Sequence, residues 1–274
     1  MCWICEQIGE GGFWYLNPRN HARRMYKLRK PGEKPAVTST DETGDPLVVL
    51  QKAIDAKCDG DMETYEKYRQ KMDDIYLKSG SSMQAVTLDE AKQICDIASP
   101  LGALACTCRK HTRGLDETPD NFSCLGLGTG ILKWERWPER YRNGVTFMSP
   151  QEAKDWLQEW DDKGMMHTVM NYGGQIGGIC NCDYPDCIGI RQRLDYDLKN
   201  VLIKGHYIAK VDYDLCIGCG DCAQRCQFGA IKMEVTNDKA NIDHMRCFGC
   251  ALCYTGCPQD AITMVDKREM PALM

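Results

Sequence analysis

The sequence predicts an α+β protein, in which a mostly helical N-terminal and middle region precedes a small C-terminal module built on an internal repeat. Two observations support this class. Residues 46–163 contain several segments bounded by helix-capping residues, and a strand-like segment follows them. Residues 206–268 carry one cysteine pattern twice. The chain therefore divides into a basic arm and linker (1–45), a middle domain (46–205), the repeat module (206–268) and a tail (269–274).

The basic arm contains a predicted helix that starts at Asn17-Pro18 and ends before Pro31. Proline suits the first position of a helix. It also disfavours a helical conformation in the residue before it, which ends the helix. Residues 1–34 hold seven Lys or Arg residues against three acidic ones, although the net charge of the whole chain is −5. We interpret the arm as a solvated or partner-packed segment, and a docking surface for an acidic redox partner is the alternative. A linker rich in Pro, Gly, Thr and Ser follows to Asp45.

The middle domain begins with two predicted helices, over residues 46–58 and 61–79, and Gly80 suits the end of the second. An apolar stripe at helical spacing predicts that the second helix packs against the core or its partner helix: Met62, Tyr65, Tyr68, Met72, Ile75 and Tyr76. Capping boxes at residues 87–90 and 149–152 start two further helices, which end near Ala98 and Lys163. A strand-like segment over residues 165–171 follows. Short helices followed by a small strand pair suggest a winged-helix-like or otherwise compact α+β middle domain.

Composition excludes several classes of function. The chain has 274 residues, of which 43% are hydrophobic and 27% charged, as in ordinary globular proteins. It contains no run of about 18 apolar residues, so no membrane span is expected. The start of the chain lacks the basic and apolar regions of a secretory signal, which favours a cytoplasmic location. The acidic balance, and the acidic helix after residue 149, argue against nucleic-acid binding.

The two cysteine runs carry the chemistry. Both read C-x2-C-x2-C-x3-C, and 31 residues separate each cysteine from its counterpart. The runs are Cys216, Cys219, Cys222 and Cys226, and Cys247, Cys250, Cys253 and Cys257. A [4Fe–4S] cluster needs four thiolates on tetrahedral corners, and two-residue gaps let one loop supply three of them. Gly218, Gly220 and Gly249 suit such a loop because glycine accepts positive φ angles.

Over residues 206–268 the sequence resembles the bacterial-type two-cluster ferredoxins, which have a pseudo-twofold ββ/αα fold. The resemblance implies that the last cysteine of each run serves the other cluster. Cluster one then takes Cys216, Cys219, Cys222 and Cys257, and cluster two takes Cys247, Cys250, Cys253 and Cys226. It also implies the transfer of single electrons at low potential. One departure is Gln227, which stands where the second run has Pro258. Zinc knuckles fit this spacing poorly, since they use separated cysteine pairs.

Six further cysteines suggest a third metal site in the middle domain: Cys106, Cys108, Cys124, Cys180, Cys182 and Cys187. Glycines precede the last three, and glycine-rich backbone lets N–H groups point at sulfur. An iron–sulfur cluster is favoured over zinc, and buried structural thiols are the alternative. Cys2 and Cys5 are possible additional ligands, which could complete a site with two of the six cysteines or bind with His21, and His111 is an outside candidate. We interpret Cys58 and Cys95 as packing residues in helices.

A second resemblance covers about residues 86–268. It links the chain to a longer group of ferredoxin-like proteins of anaerobic bacteria and archaea. The matching pieces are CTCRK at 106–110, SCLGLG at 123–128, the helix that starts with SPQEA at 149, and ICNCDYPDC at 179–187. The resemblance implies electron transfer with a redox enzyme. The last of these runs holds fewer cysteines than the group usually has.

We therefore expect an iron–sulfur electron-transfer protein, or the electron-transfer subunit of an anaerobic oxidoreductase complex. Substrate chemistry would belong to a partner subunit that carries flavin, corrinoid or another metal, and the chain would form a hetero-oligomer. Two alternatives remain. The middle site could be catalytic, with an open iron position, or the chain could be a redox-sensing regulator.

Overall fold

The structure, a computed structural model, describes residues 46–114, 118–128, 131–132, 144–172 and 175–270. The predicted helix of the basic arm, the linker, His21, Cys2 and Cys5 lie outside these residues. Within them, no helix combines the length and the apolar character that crossing a bilayer requires.

A seven-stranded mixed sheet forms the centre of the middle region. The strands are β1 (Ser81–Val86), β2 (Leu101–Ala105), β3 (Phe122–Leu127), β4 (Thr146–Met148), β5 (Met166–Tyr172), β6 (Gln175–Cys182) and β7 (Leu202–Ile203). Their order is β4-β2-β3-β6-β5-β1-β7. All neighbours are antiparallel except β1 and β7, which are parallel.

This sheet corrects the prediction of a mostly helical, winged-helix-like middle domain. The predicted strand at 165–171 is β5, but it is one of seven rather than one of a small pair. Every residue of β2 and β3 is buried. Strands buried on both faces lack the polar–apolar alternation that identifies a strand in sequence, so these two give no periodic signal.

In the part of the middle region that the structure describes, six helices pack around the sheet: α1 (Pro46–Cys58), α2 (Met62–Ser79), α3 (Leu88–Ile97), α4 (Thr107–Arg113), α5 (Pro150–Asp162) and α6 (Ile188–Asp195). The predictions for α1 and α2 are confirmed, and Gly80 ends α2 with a φ angle of 61°. The stripe of α2 is buried or half-buried except for Met62, which is 58% exposed. Met62 is therefore not part of the interface that the stripe predicted.

Helices α3 and α5 pack on one face of the sheet. Both predicted capping boxes are present, at Thr87 with Glu90 and at Ser149 with Glu152. The buried cluster on this face contains Leu88, Ala91 and Cys95 of α3, Ala153 and Leu157 of α5, and Leu125, Val169 and Ile179 of the strands. The opposite face packs against α1, α2 and α6 through Val49, Met72 and Ile190.

The C-terminal module contains two strand pairs and two short helices. In chain order these are β8 (Tyr207–Val211), α7 (Asp221–Arg225), β9 (Ile231–Met233), β10 (Ala240–Ile242), α8 (Leu252–Thr255) and β11 (Ile262–Asp266). β8 pairs with β11 and β9 pairs with β10, both antiparallel. By the sequence offset of 31 residues, α7 is the equivalent of α8, and β9 is the equivalent of β11.

The module and the middle region share one hydrophobic core. Phe228, Phe248 and Leu252 of the module belong to the same buried cluster as Met72 and Ile190. The boundary between residues 205 and 206 stays a prediction, since the core continues across it.

Candidate metal centres

The loops of the two cysteine runs have the positive φ angles that we expected from their glycines. Gly218 and Gly249 occupy equivalent positions and have φ angles of 75° and 72°. A Cβ at Gly218 would lie 2.1 Å from the carbonyl oxygen of Asp238, and one at Gly249 would lie 2.1 Å from that of Tyr207. Any side chain at either position would therefore collide with backbone. Glycine is required there by both the torsion angle and the close approach.

The structure brings the two predicted ligand sets together, each around its own small cavity. One cavity is lined by Cys216, Cys219, Cys222 and Cys257. The other is lined by Cys226, Cys247, Cys250 and Cys253. In each set the three cysteines of one run meet the last cysteine of the other run. Within the described part of the chain, no group of three or more His, Cys, Asp or Glu side chains is arranged to hold a single metal ion.

The chemistry around these thiols fits a polynuclear iron cluster. Burial raises the pKa of the Cys222 thiol to about 11 and that of Cys250 to about 12. Neutral thiols do not bind metal, so iron must supply the positive charge that stabilises the buried thiolates. Backbone N–H groups also donate to sulfur at equivalent positions, from Ala230 to Cys226 and from Ala261 to Cys257, both at 3.3 Å. Such bonds stabilise negative charge on the ligand sulfurs.

The two sites differ in their distance from solvent. Cys219 of the first site is exposed, whereas its counterpart Cys250 is half-buried. Ile217, beside Cys219, is 63% exposed, and its counterpart Phe248 is 6% exposed. The first site therefore lies at the surface. The second site faces the middle region, since Cys226 and Cys250 pack against the core that both regions share.

The six cysteines of the middle region meet on one face of the central sheet. Cys180 and Cys182 are two residues apart on β6, so their side chains point to the same face. Cys124 on β3 is the cross-strand partner of Cys180, and their sulfurs lie 3.7 Å apart. Cys106 and Cys108 lie at the start of α4, and Cys187 immediately precedes α6.

Electrostatic interactions between neighbouring thiols link these six side chains in a closed series, called here the thiol ring. Cys106 interacts with Cys108 and Cys124. Cys187 interacts with Cys108 and Cys182, and Cys180 interacts with Cys182 and hydrogen-bonds to Cys124. All six line one cavity of about 320 Å³.

The thiols of the ring differ in how readily they ionise. Interactions with Cys108 and Cys124 lower the pKa of Cys106, and those with Cys180 and Cys187 lower the pKa of Cys182 to about 7. Interactions with Cys124 and Cys182, together with burial, raise the pKa of Cys180 well above that of a free thiol. A metal centre would stabilise every thiolate that coordinates it, because of the charge of the metal.

Arg109 is a buried cation on the wall of this cavity, and the sequence interpretation missed its role. Its guanidinium lies 2.6 Å from a carboxylate oxygen of Asp183, and its side chain is only 8% exposed. Its backbone N–H donates to the sulfur of Cys106 at 3.5 Å. Its position one residue after Cys108, in the segment CTCRK, was the available signal. Arg109 ties α4 to the loop that carries Cys187.

Other candidates are not brought to this site. Cys58 is exposed, so its interpretation as a packing residue is wrong, because α1 turns that position to solvent. Cys95 is a buried residue of α3, on the opposite face of the sheet from the thiol ring. It is a packing residue, as predicted. The side chain of His111 lies outside the described part of the structure.

Comparison with known families identifies the C-terminal module only. A model for the 4Fe-4S dicluster domain matches residues 209–264, about a fifth of the chain. No curated protein matches the chain. The match covers both cysteine runs and the two small cavities that they line. Residues 209–264 are therefore a ferredoxin-type iron–sulfur domain, with [4Fe–4S] clusters as cofactors and electron transfer as its function.

Proposed function

We propose that this chain is a multi-centre electron-transfer protein, the electron-transfer subunit of an anaerobic oxidoreductase complex, in which the thiol ring holds a third iron–sulfur cluster. The observation that supports the third centre most strongly is the closed ring of six cysteines around one cavity. Packing alone does not account for six thiols in mutual contact. Iron–sulfur clusters take up and release single electrons when bound.

The proposed ligands follow from which cysteines line each cavity. Cys216, Cys219, Cys222 and Cys257 would hold the first cluster, and Cys247, Cys250, Cys253 and Cys226 the second. The third would draw on the six members of the thiol ring. An iron–sulfur cluster suits the ring better than zinc, because the same chain already carries a 4Fe-4S dicluster domain.

The position of the sites supports a relay. The first site lies at the surface beside exposed Ile217, where a partner can approach. The second faces the shared core, and the thiol ring lies on the sheet behind it. We propose that a partner subunit with flavin, corrinoid or another metal completes a hetero-oligomer and carries out the substrate chemistry. Cys2 and Cys5 remain proposed additional ligands.

A catalytic third site is the second candidate. The cavity of about 320 Å³ exceeds either ferredoxin-module cavity, and it has predominantly apolar walls with one buried cation, Arg109. The charge of Arg109 is balanced by Asp183, so the cavity shows no preference for anions. Such a cavity could admit a small substrate to an open iron position. Spectroscopy of the ring centre separates the candidates. Four cysteine ligands with no change on adding small exogenous ligands would support electron transfer, and a shifted spectrum would support an open iron position.

The deciding experiment is the iron, sulfide and zinc content of the full chain, prepared anaerobically, with EPR spectra after reduction by dithionite. About eight irons per chain would mean that only the ferredoxin module is loaded, and the third centre would be rejected. About twelve would support one cluster in the thiol ring, and about sixteen would bring in Cys2 and Cys5. Eight irons with one zinc would make the ring a structural zinc site.

A further inference from the structure

The internal repeat of the ferredoxin module is broken on both sides of one cysteine. Cys226 lies between Arg225 and Gln227. Its counterpart Cys257, 31 residues later, lies between Gly256 and Pro258. The two runs keep the same ligand spacing, and these flanks are among the positions at which the two halves have diverged.

Gln227 spans from the ferredoxin module to the loop of the thiol ring. Its side-chain nitrogen donates to the carbonyl oxygen of Cys182 at 3.2 Å and to that of Gly164 at 3.0 Å. Its side-chain oxygen accepts from the backbone N–H of Tyr184 at 3.0 Å. The side-chain amide of Gln227 thus makes three hydrogen bonds, all of them with backbone groups of the middle region. Proline at this position has no donor or acceptor that could replace them.

Arg225 fastens the other side of Cys226. Its Nε donates to the carbonyl oxygen of Leu252 at 2.8 Å, and a terminal nitrogen donates to that of Asp161 at 2.8 Å. Gly256 leaves the space for this side chain, since a Cβ there would lie 2.4 Å from Cδ of Arg225. The two departures from the repeat are therefore complementary. Arginine in the first run occupies the volume that glycine in the second run leaves free.

We propose that Gln227 is a positioning residue that couples the ferredoxin module to the thiol ring. It provides a bonded connection from Cys226, a ligand of the second site, through its own amide to the backbone of Cys182, a member of the ring. The connection fixes the separation between the two cysteine sites. This inference rests on the proposed third centre for its redox consequence, although the connection itself exists without it.

The test compares Gln227→Leu with Gln224→Leu in the full chain. At position 227, leucine keeps the approximate size of the side chain and removes all three hydrogen bonds. Gln224→Leu makes the same chemical change at an exposed position of α7 that lines neither cysteine cavity.

Two readouts apply. The first is hydrogen exchange of the Tyr184 amide, which should become about tenfold faster in Gln227→Leu because its acceptor is lost. The second is freeze-quench EPR after mixing with dithionite, which supplies the electrons. One electron lost by the ferredoxin module is one gained at the ring. That gain should be about tenfold slower in Gln227→Leu, with unchanged iron content, and unchanged in rate in Gln224→Leu.

Wild-type exchange and wild-type transfer in Gln227→Leu would overturn the proposal, as would an equal slowing in Gln224→Leu. A wild-type chain with no metal in the ring would reject the third centre of the proposed function instead. The Tyr184 amide then decides the connection alone. Protection that is lost in Gln227→Leu supports it, and protection that is retained overturns it.

Discussion

Phe228 and Phe248 stack face to face, with 3.9 Å between their ring centroids and 14° between their ring planes. Phe228 follows Cys226 by two residues, and Phe248 directly follows Cys247. The stack therefore closes the second cysteine site on the side of the shared core. The counterparts of these rings in the other half are Gln259 and Ile217, and Ile217 is largely exposed. The aromatic pair distinguishes an interior site from a surface site.

Phe248→Ala should destabilise the protein strongly. Removing a buried aromatic side chain costs about 3–5 kcal/mol, since the cavity that remains cannot close completely. Ile217→Ala is the matched control, because it truncates the equivalent, exposed position and should cost less than about 0.5 kcal/mol. Thermal unfolding followed by circular dichroism, under anaerobic conditions, compares the two variants. Equal shifts in the unfolding midpoint would contradict the inside–outside difference between the sites.

Cys180→Ser should remove about four irons per chain if the thiol ring holds a [4Fe–4S] cluster. Serine is a poor ligand for iron in such a cluster, and Cys180 contacts two other members of the ring. Cys95→Ser is the control, because that thiol is equally buried on the other face of the sheet and should leave the iron content unchanged. Iron analysis of the two purified variants is the measurement. The same iron content in both would argue that Cys180 is not a ligand.

Thr87→Ala should lower the free energy of unfolding by about 1 kcal/mol through loss of a helix cap. The hydroxyl of Thr87 accepts from the N–H of Glu90 at 3.1 Å, and the carboxylate of Glu90 accepts from the N–H of Thr87 at 2.8 Å. Thr87→Ser keeps the hydroxyl and should change stability by only a few tenths of a kcal/mol. Chemical denaturation of both variants checks this. A serine variant as unstable as the alanine variant would assign the effect to the lost methyl group.

The buried thiol of Cys95 should make stability fall as the pH rises above 9. Burial raises the pKa of Cys95 to about 11 in the folded chain, whereas the unfolded thiol ionises about two units lower. The contribution of the neutral buried thiol is complete below the unfolded pKa and declines as the pH rises toward the folded one. By pH 10 the free energy of unfolding should have fallen by about 1 kcal/mol because of this thiol.

Cys95→Ala is the comparison for this pH effect, since alanine does not ionise. The difference in unfolding free energy between wild type and variant should shrink between pH 8 and pH 10. A difference that stays constant across that range would show that the thiol does not titrate on unfolding.

Local pattern was sufficient for several parts of the molecule. The helices α1, α2, α3 and α5 and both capping boxes follow from caps and spacing within a few residues. Spacing also indicates the three cysteines that each run contributes to one site, whereas the fourth cysteine of each set was implied by the resemblance to the two-cluster ferredoxins. The sheet could not be predicted in this way. Its buried strands β2 and β3 show no alternation, and their pairing joins residues far apart in sequence.

The sequence by itself determined the local features of the ferredoxin module. Its cysteine runs, its loop glycines and its internal repeat all depend on short-range spacing. Only the tertiary structure decided which half of the repeat faces the interior. It also decided that β3 and β6 place Cys124 opposite Cys180, and that Gln227 reaches the loop of Cys182. The physical reason is strand register and packing between distant segments. Register and packing depend on the free energy of the whole core, which cannot be predicted from any local sequence pattern.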